Sequence, residues 1–69
     1  MPWTESNYPS SMKNLSLTVR NKAIEIANGL LLEERNMNEE VVISTAIIMA
    51  KDWAFNLLLY EINNSNDAD

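Results

Sequence analysis

The sequence predicts a small all-α domain: a short N-terminal helical turn packed on a two-helix antiparallel hairpin whose second helix is long. Three observations carry the prediction. Two long stretches repeat apolar residues at spacings of three and four, the period of an amphipathic helix. The link between them, Arg35 to Asn38, is short, and short links make neighbouring helices antiparallel. Ahead of both stands Pro2 to Leu15, dense in Ser, Asn and Pro yet carrying Trp3 and Tyr8.

That N-terminal stretch holds turn formers in the density that marks loops and tight turns. Pro9 is suited to start a helical turn, because proline lacks the N–H that a helix start leaves unused. One short helical or 3₁₀ turn is therefore expected over Pro9 to Asn14. A loose leader has no use for two large aromatics. Trp3, Tyr8, Met12 and Leu15 are read as anchors that cover apolar surface the two helices leave bare.

The first long helix is expected over Leu17 to Glu34, with Ser16 as its N-cap. Val19, Ala23, Ile26, Ala27 and Leu30 form its apolar stripe, which Ile24 and Leu31 widen. Gly29 is a flaw, since glycine inside a helix costs about 1 kcal/mol against alanine. Leu30 and Leu31 keep the period, so the helix is expected to run through it. Asn38 then serves as the next N-cap. Glu39 and Glu40 fall in the following first turn, where the helix dipole favours negative charge.

The second helix is expected over Glu39 to Ile62, with residues 1–62 as one domain and 63–69 as a disordered acidic tail. Ile43, Ala46, Ile47, Ala50, Trp53, Ala54 and Leu57 form one face. Val41, Ile48, Phe55 and Ile62, spaced by seven with Leu59 beside them, form a second. One helix cannot cover both sides. The second row is therefore the candidate interaction surface, open to the N-terminal segment, to another copy of the chain as a homodimer seam, or to both. A membrane span of the right length is disfavoured by Lys51 and Asp52 at its centre, each costing about 2.5–3.5 kcal/mol there.

Composition removes most chemistry. The 69 residues contain no Cys and no His, so disulfides, thiolate metal sites and the commonest general base are missing. A single Gly cannot build a phosphate-cradling loop. The charge balance is 5 basic against 10 acidic residues, net −5, which disfavours nucleic acid and anionic membrane surfaces. Glu33, Glu34, Glu39 and Glu40 flank the link without a calcium-loop pattern and read as solvated helix ends. The Ser11–Lys13 pair is no catalyst, because an ordinary lysine is a poor base near neutral pH.

Two stretches, PWTESNYPSSMKNL and VRNKAIEIANGLL, carry a resemblance. The chain resembles the YdaT-like family of small bacterial proteins of unknown function. Members open with a PWT…YP-SMKNL block, continue VR-KAIEIANALL and end in an Ala-rich helix bearing a tryptophan. The likeness covers about Pro2 to Trp53. A looser similarity joins the PW opening to ChaB-type proteins. Gly29 stands where the family has Ala, ERNMNEE replaces a Gly-containing turn, and WAFNLLLYEI is apolar where members finish or turn polar. The resemblance implies no catalytic residues.

Together these features lead to a non-enzymatic, cytoplasmic protein-interaction or regulatory module without cofactor, metal or small-molecule ligand. The alternatives are a purely structural homodimer module and an acidic inhibitor that mimics nucleic acid toward a basic partner.

Overall fold

The computed structural model describes the backbone of residues 2–67 and the side chains of residues 2–63. A 3₁₀ turn, Ser10–Met12, precedes helix α1 (Leu17–Glu33) and helix α2 (Glu39–Asp67). Among the described residues there is no strand, and the all-α architecture is the predicted one. The Lys22 ammonium lies over the Trp53 ring while the link joins Glu33 to Glu39, so the two helices run antiparallel.

The N-terminal segment folds through its own backbone. Thr4 and Asn7 exchange N–H···O bonds of 2.9 and 3.1 Å, closing a tight loop. Pro9 caps the 3₁₀ turn with extended backbone, φ −61° and ψ 142°, near the φ its ring imposes. Met12 N–H then donates to the Pro9 carbonyl at 3.0 Å, and Leu15 N–H to the Met12 carbonyl at 3.2 Å.

Both helix starts follow their capping residues. The Ser16 hydroxyl accepts from Val19 N–H at 3.4 Å, and the Asn38 side chain accepts from Glu40 N–H at 2.7 Å. Each satisfies a donor that a helix start leaves without an internal partner. α1 passes through Gly29 without interruption. α2 continues beyond the expected end at Ile62, and the segment read as a disordered tail is helical in its backbone as far as Asp67. Residues 68–69 of that segment lie outside the described residues.

The core is built from small residues. Ala23 and Ala27 of α1 and Ala46 and Ala50 of α2 are fully buried, together with Val42 and Met12. Alanines four apart stack along one helix face, and two such faces let the backbones approach closely. Larger side chains, Trp3, Leu30 and Ile47 among them, pack around this seam.

The N-terminal segment lies on α1, and of the covers left open for the second row of α2 it is not the one this fold uses, since that row stays exposed. The Asn28 side chain accepts from Trp3 N–H at 2.8 Å and donates to the Trp3 carbonyl at 3.0 Å. Arg20 sits 4.8 Å from the Tyr8 ring centre and reaches the carbonyls of Lys13 and Leu15. Arg20, Ile24 and Asn28 are four apart and form one row of α1. The segment is clamped at both ends of that row, and Ile24 between them is buried. An amide that pairs with both polar groups of one residue fixes the chain better than apolar contact alone, because both partners must stay in register.

Candidate interaction surface

A helix rises about 1.5 Å per residue, so the 29 residues of α2 span about 44 Å. The molecule measures 49 × 23 × 14 Å, which makes α2 nearly its whole length. At the level of Trp53, α1 is five residues from its start at Leu17, whereas α2 continues for fourteen more. The C-terminal part of α2 therefore overhangs the two-helix body.

This overhang explains where the expected faces succeed and fail. Ala46, Ala50, Ile43, Ile47, Trp53 and Ala54 are buried or half-buried as their spacing implies. Leu57 belongs to the same face but is exposed, because α1 is running out beside it. Val42, absent from the expected face, is fully buried. One residue turns the helix by about 100°, which puts Val42 with Ala46 and leaves Val41 outside.

All five residues of the candidate surface are exposed: Val41, Ile48 (68%), Phe55 (58%), Leu59 and Ile62. They lie opposite the alanine seam. The structure adds Leu58 and Tyr60, also exposed, so the overhang is apolar on nearly every side. Of the four N-terminal anchors, Met12 is fully buried, and Trp3, Tyr8 and Leu15 are half-buried against the core.

Other features of the surface offer less chemistry. A shallow apolar depression of about 230 Å³ is lined by Pro2, Asn28, Leu31 and Leu32. It is smaller than ordinary ligand pockets, and the Asn28 amide is already committed to Trp3. Among the described residues, no three His, Cys, Asp or Glu side chains come close enough to hold a metal ion. Glu33, Glu34, Glu39 and Glu40 are all exposed at the helix ends. Residues 39–63 of α2 are long and apolar enough to cross a membrane by length and composition. Lys51 and Asp52 stand exposed within that stretch, and its Val42, Ala46 and Ala50 are buried.

Sequence reasoning missed the two clamps. Asn28 and Arg20 flank Ile24 at spacings of four. No local pattern marks that row as the track of another segment, because its partners Trp3 and Tyr8 lie 25 and 12 residues away in sequence.

The chain is 42% identical over 64 residues to the uncharacterised protein YdaT of Bacillus subtilis (strain 168), a match covering 93% of this chain. The chain spans about two fifths of the length of that curated relative, 41%. A match of 64 residues in a chain of 69 extends past Trp53, where the likeness was expected to stop. The looser ChaB-type similarity finds no support. No family model and no solved structure matches the chain.

Proposed function

We propose that this chain, YdaT-like over nearly its whole length, is a non-enzymatic helical module for protein interaction or regulation, acting in the cytoplasm. The observation that supports the reading is the overhang of α2. Phe55, Leu58, Leu59, Tyr60 and Ile62 are each exposed on the part of α2 that runs past α1. Contiguous exposed apolar surface of this kind marks contact sites on soluble domains. Among the described residues none of these side chains belongs to the buried core or packs against it. The Lys51–Asp52 pair, exposed in the middle of the apolar stretch of α2, favours an aqueous setting over a membrane.

A second reading, a homodimer through α2, draws on the seven-residue spacing of Val41, Ile48, Phe55 and Ile62, the repeat of a helix–helix seam. Parallel affinity capture from native extract by the wild-type chain and by Phe55→Lys tests the module. A defined protein retained by the first and lost from the second is expected. Identical capture profiles overturn the reading.

A further inference from the structure

The apolar overhang coincides with most of the chain's net negative charge. From Asp52 to the last residue the sequence holds Asp52, Glu61, Asp67 and Asp69 and no Lys or Arg. The first 51 residues contain five basic and six acidic side chains and nearly balance. Four of the five net negative charges thus fall in the stretch that contains the overhang. α2 also has no basic residue in its last turn to offset the negative end of its dipole. Asp52 and Glu61 are exposed and bracket the charge-free run WAFNLLLY.

From this juxtaposition we propose that the α2 overhang binds a cationic amphipathic helix of another protein, apolar residues against Phe55, Leu58, Leu59 and Ile62 and Lys or Arg residues over the acidic rim. The inference rests on the reading of α2 as a contact surface and assigns its partner's chemistry. A helix laid along an apolar helix face is a recurring recognition mode, with anchors three and four residues apart. Charge around such a face selects the partner and speeds encounter more than it adds affinity. A second copy of the chain is the poorer occupant: two overhangs would bring like-signed rims together, and like charges juxtaposed at an interface are unfavourable.

The test uses two labelled synthetic helices with the same leucine positions, one with lysine and one with glutamate on the polar face. Fluorescence anisotropy follows their binding to the wild-type chain, to Leu58→Ser/Leu59→Ser and to Asp52→Asn/Glu61→Gln. All four substituted residues are exposed, so both variants keep the fold, which circular dichroism checks. The lysine helix is expected to bind about tenfold or more tightly than the glutamate helix, with affinity falling as salt rises. The serine variant is expected to lose that binding, and the Asn/Gln variant to narrow the gap between the two helices. Equal binding of both helices overturns the assigned chemistry and leaves the contact surface standing. Lysine-helix binding that survives in the serine variant overturns the proposal as mere charge attraction. Failure of both helices, beside wild-type sedimentation as a dimer and the serine variant as a monomer, overturns it in favour of a second copy. Failure of both with a monomeric chain overturns the proposal, and the extract capture by Phe55→Lys then decides the contact surface separately.

Discussion

Replacing Met12 by alanine tests whether the N-terminal segment belongs to the fold. Met12 sits on a three-residue 3₁₀ turn, outside both long helices, yet its side chain is fully buried with the alanine seam. Truncating a buried methionine to alanine costs about 2–5 kcal/mol, the lost transfer free energy plus the cavity left behind. Small domains carry about 0.05–0.15 kcal/mol of stability per residue. For 69 residues that amounts to about 3–10 kcal/mol in all, so this single change removes a large share. In a domain of this size each kcal/mol moves the melting midpoint by about 4–8 °C. Thermal unfolding followed by helical circular dichroism should therefore show Met12→Ala melting at least about 8 °C below wild type. Two controls frame the result. Met12→Leu conserves volume and should cost less than about 1.5 kcal/mol. Met49→Ala, at a site 47% exposed, should stay within about 0.5 kcal/mol of wild type. A Met12→Ala midpoint equal to that of Met49→Ala refutes the reasoning.

Other outcomes follow from particular contacts. Asn28→Ala strips Trp3 of both main-chain partners and is expected to cost about 1–3 kcal/mol; urea unfolding measures it, and an unchanged midpoint contradicts the clamp. Gly29→Ala meets no atom within 4 Å and restores helix propensity, so stability should rise by up to about 1 kcal/mol; a lowered melting midpoint overturns this. Asn38→Ala removes the cap of α2 and should cost about 0.5–2 kcal/mol in the same urea assay.

Local signals wrote most of the fold into the sequence. Ser16, Asn38 and the Glu39–Glu40 pair mark helix starts with side chains that act within a few residues, and the structure places both helices where they point. The alanine seam was legible for the same reason, since one-face periodicity needs no knowledge of the partner. Two things were not. The route of the N-terminal segment depends on Asn28 and Arg20, 25 and 12 residues away from Trp3 and Tyr8, and no local pattern encodes such a distance. The exposure of Leu57 depends on where α1 begins beside it, a property of the pair of helices and not of α2. The candidate surface was half legible: its seven-residue row was visible, but Leu58 and Tyr60 join it only because the helix overhangs.

Among the described residues, the C-terminal part of α2 has no partner within its own chain. Hydrogen–deuterium exchange of the dilute free chain tests it most directly. Helices of this length stand poorly alone in water, and amides held by little packing open at low free-energy cost. Amides of residues 55–62 should exchange at least about tenfold faster than those of residues 42–50, whose faces carry the buried alanines. Equal protection of the two stretches at every protein concentration would contradict the account, because it would mean that the overhang is already covered by its own fold.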